Sequence, residues 1–324
     1  MIVAGKKVLV VGAGISGLMV ASELQEAGVC VKVVEKGRGF GGRMATRRMA
    51  GARIDHGAQF FTVRSEQFRQ RVMGWLDQGI VHEWFRAAPW DSGPEEYPRY
   101  RGNAGMTDVA KALAAPLDVE RSVRLVNASW SGVGWRAESD GGRSYEADVL
   151  ILTPPVPQSV ALLSESGIQL PGSDWVALSE MDYEPCLTGL FVLSGPSGIP
   201  APGAMKVKDG PVVWMGDNTQ KGISPDVSAV TVHSSPEFAR QYWDAADDER
   251  LPVLIEAASR HLDSDVVEAS IHRWRYNVPT RVWSSPFYWN DSFALGLAGD
   301  SFGGARIEGA ALSGLALSRY LLSS

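Results

Sequence analysis

Apolar runs and helical spacing alternate at the start of the chain and indicate a strand–helix–strand unit. Residues 6–11 form a short apolar run that suits a buried parallel strand. Apolar residues then recur at spacings of three over 18–27, which predicts a helix that stops at Gly28. A second apolar run over 29–34 ends at Glu35. The pattern therefore predicts two parallel strands joined by a helix, with an acidic residue at the end of the second strand.

The turn between the first strand and the helix carries the glycine spacing GxGxxG. Gly12 permits a tight turn, Gly14 lets the backbone approach a pyrophosphate, and Gly17 lets the helix pack on the strand. Free N–H groups and the positive dipole end of the helix attract phosphates. Glu35 can accept both hydroxyls of an adenosine ribose. The residues that we expect to contact a dinucleotide here are Gly12, Ala13, Gly14, Ile15, Ser16, Gly17, Glu35 and Lys36.

A second glycine loop follows the acidic strand end directly. Gly41 and Gly42 permit another close approach of the backbone, and Arg43 offers a guanidinium fork to phosphate oxygens. A simple NAD domain does not need this loop, so it favours a flavin dinucleotide. A surface loop with a solvated arginine is the alternative interpretation.

These motifs resemble the FAD-binding signature of the flavin-containing amine oxidase superfamily. Residues 52–62 and 297–310 narrow the likeness to the renalase branch, especially its bacterial members. The resemblance implies an α/β fold with a Rossmann-type FAD-binding domain, similar to that of amine oxidases and p-hydroxybenzoate hydroxylase. It also implies a second α+β substrate domain built on an antiparallel sheet.

The resemblance places several segments at the cofactor. It puts 55–59 along the isoalloxazine ring, the Val123 backbone against adenine, and Asp300 at the ribityl and pyrophosphate groups. The helix that begins near Ile307 would point its N–H groups at the flavin. A turn with a surface histidine at 55–59 and a helix cap at Asp300 are the alternative interpretations. Further cofactor contacts that the resemblance implies are His56, Gly57, Ala58, Gln59, Thr153, Arg306, Glu308 and Ala310.

The cofactor domain is expected to be discontinuous. Residues 1–65, 103–160 and 290–324 are assigned to the FAD-binding domain, and 66–102 and 161–289 to the substrate domain. The elements predicted between these boundaries are a loop over 91–102, a helix over 105–113 capped by Thr107, a strand over 119–126, a hairpin of 129–137 with 143–147, strands over 148–152, 187–193, 212–215, 227–233 and 293–298, and helices over 238–246, 251–262 and 308–322.

Candidate catalytic residues come from the substrate domain and from the 55–59 stretch. His233 ends a predicted strand, and renalases carry a similar histidine there. Trp274 and Tyr276 suit an aromatic wall for a flat ring, and Gln59 adds a polar group. A satisfied structural histidine and an interdomain aromatic core are the alternatives. The five histidines show no metal-ligand spacing, so we expect no metal site.

Composition and charge exclude some classes of partner. The chain has 324 residues and a formal net charge of −6, which argues against nucleic acid. Its two cysteines, Cys30 and Cys186, form no disulfide framework, and the chain shows no export signal or membrane span. We therefore expect a cytoplasmic protein. No cysteine lies near the C-terminal flavin segment, so FAD should bind noncovalently.

The renalase-like resemblance implies oxidation of the 2- or 6-dihydro isomers of NAD(P)H to NAD(P)⁺. A hydride would pass to flavin N5, and O₂ would be reduced to H₂O₂. Two alternatives stay open. One is an amine oxidase that acts on a polyamine or another small amine. A lysine near the flavin would favour this alternative. The other is a flavin-binding protein without turnover.

Overall fold

The computed structural model describes residues 2–86 and 97–323. Within them, the strands are β1 (Lys7–Val11), β2 (Cys30–Glu35), β3 (Thr46–Met49), β4 (Ala52–Asp55), β5 (Val81–Phe85), β6 (Arg99–Gly102), β7 (Val119–Arg121), β8 (Leu125–Trp130), β9 (Trp135–Ser139), β10 (Ser144–Ala147), β11 (Val149–Leu152), β12 (Tyr183–Leu193), β13 (Ala204–Lys206), β14 (Val212–Asp217), β15 (Ala229–Ser234), β16 (Val266–Pro279), β17 (Tyr288–Asn290) and β18 (Leu295–Leu297). The helices are α1 (Ile15–Glu26), α2 (Glu66–Asp77), α3 (Thr107–Ala114), α4 (Val156–Glu165), α5 (Gly172–Ser179), α6 (Pro236–Gln241), α7 (Asp247–Ser259), α8 (Asp300–Gly303) and α9 (Ile307–Ser323), with a 3-10 turn at Gly42–Met44.

The predicted strand–helix–strand unit is confirmed at the centre of a six-stranded sheet. Strand β1 pairs in parallel with β2 on one side and with β11 on the other, in the order β17-β18-β11-β1-β2-β7. Val8 and Val10 face the side covered by α1 and α9, whereas Leu9 faces the side covered by α4 and α5. Because both faces are buried, the strand is apolar throughout, as parallel sheets require.

The predicted antiparallel sheet of the second unit is confirmed as well. Its strand order is β13-β14-β15-β12-β16. Leu187 and Phe191 of β12 pack on one face against α6 and α7. The opposite face contacts β4, where Ile54 packs among Leu190 and Val192. Strand β4 therefore joins the two sheets and leads directly into the 55–59 stretch.

Two strand predictions between the sheets were wrong. The strand over 119–126 is divided at Ser122, which has a φ of +58°: β7 joins the six-stranded sheet and β8 joins a separate three-stranded sheet. The strand over 129–137 is broken by a tight turn in which Ser131 N–H donates to the carbonyl of Gly134. In both pairs of successive strands, β7–β8 and β8–β9, one face is buried, so the alternation of apolar and polar residues continues across both turns and does not reveal them. The turn at 140–142 that joins β9 to β10 is confirmed.

Three other local predictions need correction. Thr107 is not the cap of α3: Met106 holds that position, and Thr107 Oγ1 accepts from Thr46 N–H and donates to the carbonyl of Met44. In the loop expected over 91–102, residues 91–96 lie outside the described part of the chain and 99–102 form β6. Helix α6 is shorter than expected and ends at Gln241, whereas α7 begins four residues before the predicted start at 251.

The division into two domains stays a prediction. The elements that lie at its predicted boundaries are as follows. Helix α2 packs with α1, α3 and α9 around Phe68 and Met19, which lie in one buried cluster. The boundary at 160 lies inside α4, and the boundary at 289 lies inside β17. Among the described residues, none of the helices combines the length and apolar character that a bilayer crossing requires.

Candidate functional site

A cavity of about 780 Å³ opens at the carboxyl ends of β1, β2 and β11. Ligands bind at this edge in open α/β sheets, and the volume lies within the range of about 300–1,000 Å³ that ligand sites span. The predicted cofactor residues that line the cavity are Gly12, Gly14, Ile15, Ser16, Glu35, Lys36, Gly41, Gly42, Arg43, Gly57, Ala58, Val123, Thr153, Asp300, Arg306, Ile307 and Ala310. The predicted cofactor residues outside the lining are Ala13, Gly17, His56, Gln59 and Glu308.

The N-terminus of α1 has the properties of a phosphate site. Its first residue follows Gly14, which supplies no side-chain cap, and a Cβ added to Gly14 would enter open space. Ser16 lines the cavity, and its buried hydroxyl has no hydrogen-bond partner among residues 2–86 and 97–323. Gly12 has a φ of +105°, and a Cβ there would lie 2.6 Å from Thr153 Oγ1. Uncapped N–H groups, an unpartnered hydroxyl and a bare backbone together fit a pyrophosphate.

Glu35 holds the two loops beside the cavity together. Its carboxylate accepts from Ala13 N–H at 2.8 Å and from Gly37 N–H at 2.6 Å. Ala13 thus acts behind the cavity wall, through Glu35. Each carboxylate oxygen accepts more than one hydrogen bond, so Glu35 retains capacity toward ribose hydroxyls. Val123, in contrast, has its N–H engaged by the carbonyl of Glu35, and Lys36 donates to Gln158 Oε1.

Arg43 and Asp300 form a bidentate ion pair at the middle of the cavity. The guanidinium donates to the two carboxylate oxygens at 2.5 and 2.7 Å and to the carbonyl of Asn277 at 3.1 Å. Burial opposes the charge, yet the Asp300 carboxylate raises the pKa of Arg43 above its ordinary value. The fork that we expected to face phosphate oxygens is therefore used mainly by Asp300. Both side chains still line the cavity.

The 55–59 stretch is held tightly against the Arg43 turn. A Cβ on Gly57 would lie 1.9 Å from the carbonyl of Arg43, so only glycine fits there. Gln59 Nε2 donates to the carbonyls of Asp55 and Gly57 at 2.6 and 3.0 Å. Gln59 therefore supports the turn from behind, while Gly57 and Ala58 reach the cavity.

A wall of rings lies beside this turn. His56 stacks on Trp274 with centroids 5.4 Å apart and an interplanar angle of 17°. His272 meets both rings edge-on, at 4.7 and 4.3 Å. The indole N–H of Trp274 donates to the carbonyl of His56 at 2.8 Å. We call His56, His272 and Trp274 the ring wall.

Strand register joins His233 to the ring wall. Thr188 of β12 pairs with His233 on one side and with His272 on the other, so all three share one sheet face. His233 lines the cavity, and its buried Nε2 has no hydrogen-bond partner in the described part of the chain. Tyr276, by contrast, contacts the ring of Tyr183 at 5.6 Å. It lies outside the cavity lining, as Trp274 does.

The imidazoles of this site are neutral at pH 7. Burial lowers the pKa of His56 to about 3 and the pKa of His233 to about 4. Burial also lowers the pKa of His272. Among the described residues, no group of three His, Cys, Asp or Glu side chains is arranged to hold a metal ion. The site thus offers uncharged, flat, hydrogen-bonding surfaces.

Two features of the site were not predicted from the sequence. The Nζ of Lys221 donates to Asp55 Oδ2 at 2.6 Å, and both side chains are fully buried. Nothing in the polar turn around Lys221 signals this partner. His272 could have been found, because it precedes Trp274 by two positions and strand alternation places both on one face.

The N-terminus of α9 also reaches the cavity, next to the N-terminus of α1, where Ala310 packs with Ile15. Ile307 and Arg306 line it there. Glu308 turns away, and its carboxylate accepts from the N–H groups of Arg64 and Ser65 at 3.0 and 2.7 Å. Asp300 begins α8. It faces Arg43, which contributes to the cavity wall.

Comparison with known proteins supports the fold. Residues 10–78 match the family model of an NAD(P)-binding Rossmann-like domain. A putrescine oxidase solved with putrescine bound is similar at a TM-score of 0.74 and 15% identity, over 98% of this chain and 99% of that chain. A protein from Exiguobacterium sp. 255-15, provisionally assigned as a protoporphyrinogen oxidase, is also similar. Its TM-score is 0.74 and its sequence identity is 14%, over 98% of this chain and 99% of that chain.

A third similar structure has a different activity. The fatty acid isomerase of P. acnes that produces CLA matches at a TM-score of 0.70 and 12% identity, over 97% of this chain and 98% of that chain. At such low sequence identities, structural similarity establishes the fold, and the reaction has to be inferred from the residues of the site. The chain therefore has a mixed α/β fold with a Rossmann-like unit at residues 10–78 and a second, antiparallel sheet, and it shares this architecture with the putrescine oxidase.

Proposed function

We propose that the chain is an FAD-dependent oxidoreductase that binds its cofactor noncovalently in the 780 Å³ cavity. The proposal is supported by the uncapped helix at Gly14, the free hydroxyl of Ser16 and the carboxylate of Glu35. They suit a pyrophosphate and a ribose, in the order that an adenine dinucleotide requires. Cys30 and Cys186 lie outside the lining, which favours a noncovalent site.

We further propose that the substrate is a 2- or 6-dihydro isomer of NAD(P)H, oxidised to NAD(P)⁺ with O₂ as the final acceptor. The observation that carries this choice is the ring wall, in which neutral His56 stacks on Trp274 and neutral His272 meets both rings edge-on. The ring wall shares a sheet face with His233, which lines the cavity. A flat dihydropyridine stacks on such a surface, and its oxidation to an aromatic pyridinium needs no general base. Bound FAD would supply the hydride acceptor for this oxidation.

The chain's own residues orient the reactants and exclude water. Gly57 and Ala58 bring bare backbone to the cavity, and Trp274 fixes the position of the His56 ring through its hydrogen bond to the backbone. His233 presents an unpaired Nε2 to the cavity for a polar group of the substrate. Orientation of this kind supplies much of the rate enhancement when no proton transfer is needed.

An amine oxidase is the second candidate. The similar putrescine oxidase binds an amine on the same fold. Here, however, Lys221 is held by Asp55, and this ion pair also neutralises the carboxylate next to the ring wall. Neutral imidazoles and a paired carboxylate offer little attraction to an ammonium ion. A flavin-binding protein without turnover is the third candidate, and turnover measurements test it directly.

Anaerobic stopped-flow mixing separates the candidates. The FAD-loaded protein is mixed with 2- and 6-dihydroNAD(P) and with polyamines, and flavin bleaching is followed across a pH series. We expect rapid bleaching by a dihydronicotinamide, at a rate nearly independent of pH between about 6 and 9, because no proton leaves before the hydride. Bleaching by an amine alone, faster as its ammonium deprotonates, would replace the proposal by the amine oxidase. Bleaching by none of them would favour the third candidate.

A further inference from the structure

Arg47 lies on the face of the β3–β4 hairpin that approaches the second sheet. It pairs across the hairpin with Ile54, whereas Arg48 pairs with Arg53. Cross-strand partners point to the same face of a ribbon, and neighbours in one strand point to opposite faces. Ile54 packs against Leu190 of β12. Arg47 therefore extends toward the second sheet, and Arg48 extends away from it.

Arg47 lies close to the ring wall along the hairpin, because Ala45, two positions before it, accepts from the N–H of His56 at 3.3 Å. Arg47 and His56 are therefore diagonal neighbours on the face that approaches the second sheet. Burial is the main cause of the lowered pKa values of His56 and His272, and the positive charge of Arg47 lowers both further. Arg47 is exposed. Within residues 2–86 and 97–323, its guanidinium has no ion pair and no side-chain hydrogen bond. Among the residues that the structure describes, this exposed cation near the rings thus has no carboxylate partner.

The sign of this charge is unexpected for the chain as a whole. The protein carries a formal net charge of −6, yet the exposed charged groups that act on the rings are cations: Arg47 acts on His56 and His272, and Arg273 acts on His272. The buried carboxylate of Asp55, which immediately precedes His56 in the chain, is compensated by Lys221. This arrangement repels a cationic amine and attracts an anion. A guanidinium fork matches phosphate oxygens in a bidentate manner.

We propose that Arg47 binds the phosphate groups of a dinucleotide substrate whose nicotinamide ring rests at the ring wall. This inference rests on the proposed function, since it assigns a binding residue to the non-reacting part of that substrate. Arg47 thereby selects dinucleotides over small dihydropyridines and over amines. Interactions with such remote groups determine affinity and help to orient the reacting ring.

The test uses FAD-saturated holoenzyme, so that the cofactor site is closed to other nucleotides. The variants are Arg47→Gln and, as a matched control on the opposite face of the same strand, Arg48→Gln. Binding of ADP-ribose, which lacks the reacting ring, is measured by titration calorimetry. We expect Arg47→Gln to weaken binding about tenfold or more, and Arg48→Gln to change it less than about twofold. Wild-type affinity should also fall with added salt.

A turnover experiment keeps this inference separate from the proposed function. Two substrates are compared, 6-dihydroNAD and 1-methyl-1,6-dihydronicotinamide, which has no phosphate. Arg47→Gln should raise KM for 6-dihydroNAD about tenfold, and its effect on kcat/KM should be several-fold smaller for the methyl compound, which has no phosphate for Arg47 to bind. If both substrates are oxidised but Arg47→Gln and Arg48→Gln change KM for 6-dihydroNAD equally, the role of Arg47 is overturned and the proposed function stands. ADP-ribose that does not bind the wild type, or that binds Arg47→Gln equally well, would also overturn it. Failure to oxidise either substrate would refute the proposed function.

Discussion

Lys221 and Asp55 form an ion pair of 2.6 Å in which both side chains are completely buried. The pair connects the turn after β14 to the end of β4, immediately before the 55–59 stretch. The other carboxylate oxygen of Asp55 accepts from Thr46 Oγ1 and from Met106 N–H. Burial lowers the pKa of Lys221, and the Asp55 charge opposes that effect. One carboxylate thus joins the second sheet to the strand and helix that flank the cavity.

Removing one partner of this pair should destabilise the fold strongly. Lys221→Met leaves the Asp55 carboxylate buried without its cation, and we expect the free energy of unfolding to fall by about 3–5 kcal/mol. The double variant Lys221→Met with Asp55→Asn should lose less than the sum of the single variants. Urea-induced unfolding measures these values. The exposed pair of Arg260 with Glu256 is the control, since Arg260→Met should cost under about 0.5 kcal/mol. Equal losses for Lys221→Met and Arg260→Met would contradict the assignment.

Glu35→Gln should weaken binding of the adenosine part of the cofactor. An amide replaces a carboxylate that accepts from Ala13 and Gly37 and that faces the predicted ribose position. We expect the dissociation constant of FAD to rise about tenfold or more while the protein stays folded, because one charge-assisted acceptor is worth about 1.5–3 kcal/mol. The control is Glu165→Gln, another acid of the cavity wall, which is exposed. Fluorescence titration of the apoprotein with FAD measures the dissociation constant. Equal dissociation constants for Glu35→Gln and wild type would exclude a contact between Glu35 and the ribose.

The local parts of the site could be predicted from the sequence, whereas its long-range pairs could not. Gly12, Gly14 and Glu35 are recognisable because spacing along one strand–helix–strand unit determines their positions. Asp300 lies 257 positions from Arg43, and Lys221 lies 166 positions from Asp55. No local pattern shows which distant charge a side chain will meet. The true partner of the Arg43 fork therefore appeared only in the three-dimensional structure.

The strand errors have a related cause. Alternation of apolar and polar residues reports a half-buried surface, and it continued through Ser122, where the chain turns with a positive φ. Long β16 was not predicted as a strand, because its edge position leaves residues such as Val267 and Val278 exposed. The aromatic residues of β16 were identified, but their shared face with His272 required the strand assignment.

Trp274→Ala should slow reduction of the flavin by a dihydronicotinamide. The substitution removes the ring that stacks on His56 and the hydrogen bond to its carbonyl. We expect a loss of about tenfold in the reduction rate constant, because the aromatic contact that orients the reacting ring is worth about 0.5–1.5 kcal/mol. Trp274→Phe keeps an aromatic surface and should lose less. Single-turnover stopped-flow mixing measures the rates, and Trp130→Phe, in the separate three-stranded sheet, is the control. A rate for Trp274→Ala equal to that of wild type would remove the ring wall from the mechanism.

Acid precipitation should release all flavin from the purified protein. The cysteine thiols lie away from the cavity lining, with Cys30 exposed and Cys186 buried in the second sheet. The supernatant should contain FAD in a ratio near one to protein, as measured by its absorbance. Flavin that stays in the washed pellet would show a covalent link.

The stability of the apoprotein should fall as the pH decreases below about 6.5. The folded-state pKa of His233 is lowered to about 4, so the unfolded chain binds a proton that the folded chain does not. The free energy of unfolding therefore rises with pH between about 4 and 6.5, by up to about 1.4 kcal/mol per pH unit for this residue, and is constant above that window. His233→Asn should reduce the slope, and the exposed His261→Asn serves as the control. Urea-induced unfolding at pH 5.0, 6.0 and 7.5 measures the slope. An unchanged slope in His233→Asn would show that His233 titrates alike in both states, and would contradict its burial as a neutral imidazole.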